Sequence, residues 1–483
     1  MLRNAGLYGV GSLLASLISQ FIDPLLSYNL TRSEFGLVGL ATTVSGLLIA
    51  TYTLGLDGAA GRLYYDAERD PEQKRKLIGT LFAFHLGWLA LLFGLHEALG
   101  PLVYPHFFKE MPFVPYGRLV AVALALNAVG AVPRAVWAAR EDVKKLVQFR
   151  VVGALASAAA LFALLGIWHV GPSAVLWAEL VAAAVVAVPT VRFVVKTFGF
   201  AWDTIQLRAA LIFALPMVVH LTSHWMLNAA DRFVIDDVLG LDDLGLYSAA
   251  YKAIQICITL NLSLNAAYVP QFMRARTDAT QVDFLGRAIT TLLALSVAGA
   301  LAVAALGPTA VRLFYSGSFA GAANLLPMLA PGGVFQALYL IYVNDLFQAK
   351  RTSIIPLLTL TSGIANVALC YWWIPRGGLE GAAWATSASY VVLALLVGIT
   401  SRLRSKLPWE RPRMLRLFGI AAPAWLGLWL LDGRLPLWPE LAAKVGVLVL
   451  AAGALWASSF LSDDEKHAIV QTLRKSLRLP TGA

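Results

Sequence analysis

The sequence predicts an all-α, polytopic membrane protein of about 14 transmembrane helices, built as two parallel six-helix lobes with two extra C-terminal helices. Three observations carry this expectation. Hydrophobic residues make up 59% of the 483 and charged residues only 14%, against about 25% charged in soluble domains. Apolar runs of about 20 residues, the length that crosses a hydrocarbon core, recur along the whole chain. Lys and Arg cluster on alternate sides of these runs, the pattern that orients membrane proteins. A soluble enzyme, a disordered chain and a secreted disulfide scaffold are thereby excluded. The two cysteines, Cys257 and Cys370, both lie in apolar runs, so neither a disulfide nor a cysteine metal site is expected, and no cofactor is expected.

In chain order the expected spans are 5–28, 35–57, 77–100, 117–139, 150–168, 173–195, 209–230, 244–268, 286–307, 325–348, 354–374, 381–401, 415–432 and 441–461. The first is long and carries Asp23-Pro24 where a cleavage site needs small residues, so it reads as a retained helix. With the N-terminus in the cytoplasm, 29 Lys and Arg fall inside, eight fall outside, and Lys252 lies within a span. The reverse orientation would invert that bias. Both termini are then cytoplasmic, which requires an even number of spans. The net charge of +10 is a topogenic signal, and no nucleic-acid partner is expected. No loop is long enough to form a separate domain. The tail carries Ile469, Leu473 and Leu477 beside Arg474, Lys475 and Arg478. It is expected either to lie along an anionic membrane surface or to stand as a solvated helix.

An internal repeat supplies the lobes. Residues 30–44 align with 239–253, matching Leu30 with Leu239, Gly36 with Gly245, Leu37 with Leu246 and Ala41 with Ala250. Residues 138–146 align with 348–356 at nearly the same offset and the same place in the span order. A spacing of six helices is even, so both halves insert the same way up, related by an axis along the membrane normal. The expected organisation is an N-terminal lobe over 1–208, a C-terminal lobe over 209–406, helices 13 and 14 over 407–461, and an amphipathic cytoplasmic tail over 462–483.

Ionisable groups inside spans cost about 2.5–3.5 kcal/mol at mid-bilayer and usually face protein or a wet cavity. Lys252 lies deep in span 8. His220 and His224 share one face of span 7, Asn228 extends it, and Pro216 sits one turn before His220. Asn261 and Asn265 pair on span 8, Asp345 follows Asn344 in span 10, and Arg134 ends span 4. Glu179 lies in span 6, and Gln20 and Asp23 in span 1. The candidate cavity set is Lys252, His220, His224, Arg134, Asn228, Asn261 and Asp345, a hydrated, cationic lining for an anionic substrate. The competing reading is that these groups satisfy one another between packed helices, with Asp23 and Arg134 reaching an interface by snorkelling. Asp231-Arg232 is expected to begin a polar outer loop, where its simplest role is to cap a helix. The acidic group Asp236, Asp237, Asp242 and Asp243 reads as a solvated turn in preference to a metal site, and no catalytic constellation such as HExxH, GxSxG or GxxxxGK[ST] occurs.

Ser33-Glu34-Phe35-Gly36-Leu37, followed by Leu54-Gly55-Leu56-Asp57, resembles the first helical hairpin of bacterial polysaccharide flippases. Residues 228–251, with Asp231-Arg232 and Leu244-Gly245-Leu246-Tyr247, resemble the matching hairpin of their second half. The resemblance points to the O-antigen, capsule and exopolysaccharide flippases, in a superfamily that also holds multidrug exporters and the peptidoglycan-precursor flippase. It implies movement of a polyprenyl-pyrophosphate-linked oligosaccharide from the cytoplasmic to the periplasmic leaflet of the bacterial inner membrane by alternating access. It also implies a cationic cavity suited to pyrophosphate, to which Lys252, His220, His224 and Arg134 conform in type and placement. Other polysaccharide assembly proteins are candidate partners beside the lipid bilayer. The extra helix pair resembles that of the peptidoglycan-precursor flippase.

Three other classes compete. A drug or metabolite exporter of the same superfamily would use Asp23, Glu179 and Asp345 to hold cations. A polytopic enzyme acting on lipid-linked sugars would need a sizeable aqueous loop, whereas the longest outer loop is about 16 residues. A scaffold in a polysaccharide assembly complex would need no cavity.

Overall fold

The computed structural model describes residues 22–66, 70–277, 282–349, 351–403 and 407–476. All regular elements among them are helical. They are α1 (22–29), α2 (Arg32–Thr53), α3 (Leu56–Asp66), α4 (Pro71–Phe107), α5 (Arg118–Val129), α6 (Ala131–Ala139), α7 (Val143–Leu161) and α8 (Ser173–Thr197). There follow α9 (Thr204–Ala229), α10 (Asp231–Leu239), α11 (Leu241–Thr277), α12 (Val282–Phe314), α13 (Leu326–Gln348), α14 (Ile355–Arg402), α15 (Arg411–Leu431), α16 (Leu437–Ala457) and α17 (Asp463–Ser476).

Among the described residues, 12 helices are long and apolar enough to cross a membrane. One of them, α14, has 48 residues and would run about 72 Å if straight, more than twice the hydrocarbon core. It breaks at Gly378, where φ is 56° and ψ −140°. Its arms pack so closely that a Cβ on Gly381 would meet the Trp373 carbonyl oxygen at 2.5 Å, and Asn366 donates across to Ser389 at 3.2 Å. This one element therefore supplies expected spans 11 and 12. The first expected span, Gln20 included, lies outside the described residues except for α1.

Capping chemistry sets the helix starts. Thr31 and Glu34 form a reciprocal capping box on α2. Asp70 accepts from the N–H groups of Glu72 and Gln73 ahead of α4, and Asp203 from those of Ile205 and Gln206 ahead of α9. Ser462 and Glu465 cap α17 in the same way. Of that tail, the side chains of Ile469, Leu473 and Leu477 lie outside the described residues.

The end of α2 explains the Leu54-Gly55 motif. Leu54 and Gly55 both adopt positive φ, 51° and 64°, and a Cβ on Gly55 would sit 2.7 Å from the Ala214 carbonyl oxygen of α9. Stopping a helix inside a membrane orphans its last carbonyls, which no lipid can satisfy. Here α4 supplies the donors. Trp88 Nε1 donates to the Thr51 oxygen at 2.9 Å, and His85 Nε2 lies 3.0 Å from the Tyr52 oxygen. A carbonyl only accepts, so the Nε2-protonated tautomer is required. The chain then resumes as α3.

The chain forms two compact units. The first comprises residues up to Lys252, Phe314–Phe319 and Ser353–Ser389, and the second Ala253–Leu313, Ala320–Thr352 and Tyr390 onward. These boundaries cut across the divisions at 208 and 406 expected from the repeat, because α9, α10 and the start of α11 pack with the first unit.

Within the first unit the two repeat motifs touch. A Cβ built on Gly36 would meet the Leu241 carbonyl, and one on Gly245 the Arg32 carbonyl, each with the carbonyl carbon at 2.9 Å. Arg32 and Leu241 stand in the same relation as Gly36 and Gly245, so the contact is reciprocal, as across a two-fold axis. The start of α2 and the start of α11 meet backbone to backbone because both positions lack a side chain.

Asp231 corrects an expectation. It opens helix α10 and no outer loop, and it is fully buried. Its carboxylate accepts from Tyr247 Oη, itself fully buried, and from Thr386 Oγ1 at 3.0 Å, with Arg232 Nη1 at 3.5 Å. Those bonds offset the cost of removing the charge from water.

In the second unit an ion cluster ties the last helical hairpin to α12. Lys444, wholly buried, contacts Asp432 at 2.6 Å and Glu440 at 2.7 Å, while Arg312 reaches Glu440 at 2.8 Å and Asp432 at 3.2 Å. Two cations and two anions leave no net charge. At the start of α15, Arg413 reaches Glu465 of α17 at 2.8 Å.

Candidate functional site

A polar cavity of about 610 Å³ lies within the first unit, lined by α2, α5, α7 and α8. That volume suits a small ligand or headgroup. Its polar lining includes Ser45 of α2, Asn127 of α5, Arg150 and Ser157 of α7, and Glu179 of α8. Small residues open the space: Gly46, Gly153, Ala154, Ala182 and Ala183 also line it.

The charges are segregated along the cavity. Gly153 of α7 faces Val186 of α8, so on these antiparallel helices Glu179 lies level with about residue 160, some 15 Å beyond Arg150. Arg134 joins the Arg150 end. Its guanidinium stacks 5.0 Å from the ring centroid of Phe149, a cavity residue, and Nη1 donates to the Asn127 oxygen at 3.3 Å. Arg150 and Asp57 are the charges that act on it. Two guanidinium groups thus mark one end and a carboxylate the other. Such an arrangement can hold a phosphate group by charge-assisted hydrogen bonds at the arginine end.

Lys252 lies in the same unit. Its Nζ is ion-paired with Asp23 of α1 and sits 5.2 Å from the Phe35 ring centroid. Asp23 is buried, but the lysine side chain keeps 38% exposure, so one side stays open.

The remaining expected residues take other positions. On α9, His220 is half-buried and His224 exposed. Asn228 donates to the His224 carbonyl at 2.6 Å, and its own carbonyl accepts from Arg232 at 2.9 Å. From the same helix Trp225 Nε1 donates to the Thr43 oxygen at 3.1 Å, and its indole packs on Gly46, a residue of the cavity wall. Asn261 and Asp345 belong to the second unit and are not brought to this cavity. Buried Asn261 bridges to the Gly333 carbonyl at 2.8 Å and to Gln336 at 3.1 Å. Buried Asp345 accepts from Ser401 at 2.8 Å, and Asn344 donates to Asn265 at 2.7 Å. These groups bond between packed helices, although the Asn261 side-chain oxygen is buried without a hydrogen-bond donor among the described residues.

Sequence reasoning missed Ser45, Asn127, Arg150 and Ser157 of the cavity wall, and for Arg150 the reason is that the expected span 5 begins at 150. The helix starts at Val143, capped by Asp142, whose carboxylate accepts from the Lys145 N–H at 3.3 Å. That puts Arg150 about 10 Å along the helix. An Asp ahead of a helical run is the signal that locates such a start. Beside the Asp142 carboxyl, partial burial opposes ionisation, but hydrogen bonds and charge from Lys145 outweigh it and hold the carboxyl below its ordinary value.

A second cavity of about 740 Å³ in the same unit is mainly apolar, with Leu95, Leu99, Val103 and Phe107 of α4 on its wall. Its lining also includes Lys109, which reaches Asp237 at 3.0 Å, and Tyr371, which donates to the same carboxylate at 3.3 Å.

Comparison with solved structures finds this fold in membrane transporters. The lipid II flippase MurJ in its inward closed conformation aligns with a TM-score of 0.77 at 11% identity, over 94% of this chain and 100% of that one. A multidrug resistance MATE family transporter of the MOP superfamily aligns in its inward-facing conformation with a TM-score of 0.66 at 17% identity, over 80% and 94%. An outward-facing conformation of such a transporter gives 0.58 at 16%, over 83% and 94%. At these identities the likeness is one of fold. No curated protein sequence matches the chain. The sequence profile described as polysaccharide biosynthesis protein matches residues 25–324, more than half the chain. The chain belongs to that polysaccharide biosynthesis protein family.

Proposed function

We propose that this protein is a flippase for surface polysaccharide assembly. It carries a polyprenyl-pyrophosphate-linked oligosaccharide from the cytoplasmic to the periplasmic leaflet of a bacterial inner membrane by alternating access, with both termini in the cytoplasm. One observation carries the reading: a cavity among the apolar helices with Arg150 on its wall and Arg134 stacked behind the wall residue Phe149, in a chain of this family. A sugar head cannot shed its water into hydrocarbon, so it needs a wet path while its lipid tail stays in the bilayer. The two arginines hold the pyrophosphate, and the sugar extends towards Ser157 and Glu179. Lys252 is the second station, where pyrophosphate competes with Asp23 for the ammonium.

The test is leaflet transfer of a fluorescent polyprenyl-pyrophosphate sugar in proteoliposomes, read by a membrane-impermeant quencher. Arg134→Gln removes a charge-assisted contact of about 1.5–3 kcal/mol and is expected to slow transfer at least about ten-fold. Unchanged transfer together with unchanged lipid-pyrophosphate binding overturns the assignment. Lys252→Ala tests its station separately by the same two readouts.

Glu179 favours a second reading. A carboxylate on the cavity wall suits a cationic drug or metabolite, as in an exporter. Efflux of a fluorescent cation that is abolished by Glu179→Gln, with no transfer of the lipid-linked sugar, would select it.

A further inference from the structure

In the second unit a separate crevice of about 540 Å³ opens between α11 and α12. Its walls include Leu264, Ala267, Leu292 and Leu295, with Phe284 and Arg287 at one end. From Arg287 to Leu295 it runs about 12 Å along α12. Phe284, Leu295 and Ala267 are exposed, so the crevice faces outward along the spans. Arg287 is exposed as well. Its Nε donates weakly to the Asp283 carbonyl at 3.4 Å, and its two terminal nitrogens have no partner among the described residues. Gln271 adds an amide at the same end, and Arg274 a further positive charge on the next turn of α11.

The charge bias of the sequence assigns this end of α11 and α12 to the inner face. An apolar slot in a bilayer is filled by a hydrocarbon chain. A guanidinium at its mouth, at the depth of the headgroups, selects a phosphate, and basic pockets between membrane helices on the inner side suit anionic headgroups. We infer that this crevice is a binding site for an anionic phospholipid of the inner leaflet, with its phosphate on Arg287 and one acyl chain between Leu264 and Leu295. The site is independent of the cavity in the first unit. The occupant is a resident lipid, held whether or not a lipid-linked sugar is being carried.

The experiment uses the full chain purified from nanodiscs of mixed phosphatidylglycerol and phosphatidylcholine, with co-purifying lipid counted by native mass spectrometry. The wild type is expected to retain phosphatidylglycerol selectively. Arg287→Gln is expected to lower that retention about five-fold while leaving phosphatidylcholine unchanged. Ala267→Phe fills the slot from an exposed wall position and keeps the arginine, and is expected to lower retention of both lipids. Equal retention of phosphatidylglycerol by wild type and Arg287→Gln overturns the inference, as does full retention by Ala267→Phe. Displacement by inorganic pyrophosphate at concentrations that leave phosphatidylglycerol on other membrane proteins would reassign the site to the carried substrate, and also overturns it. Sugar-lipid transfer measured on the same variants keeps this outcome distinct from the fate of the flippase reading.

Discussion

Adding one methyl group at Gly36 probes the contact on which the internal repeat converges. A Cβ there would lie 2.9 Å from the Leu241 carbonyl carbon and 3.0 Å from the Gly245 nitrogen. Comfortable carbon–carbon separation is about 3.5–4.0 Å and the Leu241 carbonyl oxygen lies closer than its carbon, so the starts of α2 and α11 must part by at least about 0.6–1.1 Å. Backbone cannot rotate away as a side chain can, so the cost falls in the range for overpacking, about 1–3 kcal/mol. Gly245→Ala presses on the Arg32 carbonyl with the same geometry and carries the same expectation. The double variant is the sharper test. Once one methyl has separated the helices the second meets less resistance, so its cost falls short of the sum by 0.5 kcal/mol or more, as coupled neighbours do. Gly87→Ala on α4 is the control, because nothing lies within 4 Å of its Cβ and Ala favours a helix interior by about 0.5–1 kcal/mol. Reversible unfolding in mixed micelles measures all four. Single variants at Gly36 and Gly245 as stable as the wild type, or an additive double, refute the backbone-to-backbone contact.

Other outcomes follow from the same geometry. Trp88→Phe strands the Thr51 carbonyl inside the membrane and is expected to cost about 1–3 kcal/mol in the same unfolding assay, with no change expected for Trp438→Phe at an exposed site. Lys444→Met leaves Asp432 and Glu440 with Arg312 alone and is expected to cost about 3–5 kcal/mol, part of it restored when Glu440→Leu is added. For the exposed Lys109–Asp237 pair the sign is fixed by the shifts. The hydrogen bond and charge of Lys109 hold the Asp237 carboxyl below its usual value of 3.8, so the link is present above that pH and lost as pH falls through the depressed value. Asp237 in turn raises Lys109 above 10.5, so the alkaline limit lies beyond that. A carbodiimide crosslink between the two, located by mass spectrometry, should therefore form across pH 5–7 in the wild type and be absent in Asp237→Asn.

Much of the architecture was legible because a membrane helix is written in one dimension. Length and apolarity delimit it, and the charge bias orients it without reference to any distant residue. The exceptions are places where distant groups act. Gly378 breaks α14 between Arg376 and Glu380, where the sequence already parts spans 11 and 12, but the close packing of the two arms, Gly381 on Trp373 and Asn366 on Ser389, is not written in either span. Asp231 looked like the edge of a loop because its partners Tyr247 and Thr386 come from other helices. Asp23 and Lys252 were both visible as buried charges, yet 229 positions separate them, and one sequence without homologues holds no record of their pairing. Asn261 and Asp345 show the converse. Their residue types suggested a wet cavity, and the packing supplied ordinary helix-to-helix bonds instead. Arg150 was missed by a boundary error of seven residues, which at about 1.5 Å per residue is the difference between a surface charge and a cavity wall.

The Asp23–Lys252 pair also has an electrical meaning. Moving one elementary charge through a membrane potential of 100 mV involves about 2.3 kcal/mol. A lysine and a carboxylate that travel together carry none, so any displacement of this pair across the field is silent. If an arriving anion takes the ammonium and leaves Asp23 behind, protonated or hydrated, the same displacement becomes visible to the voltage. Whether a bound cargo turns a silent step into a current is then decided at a single ion pair.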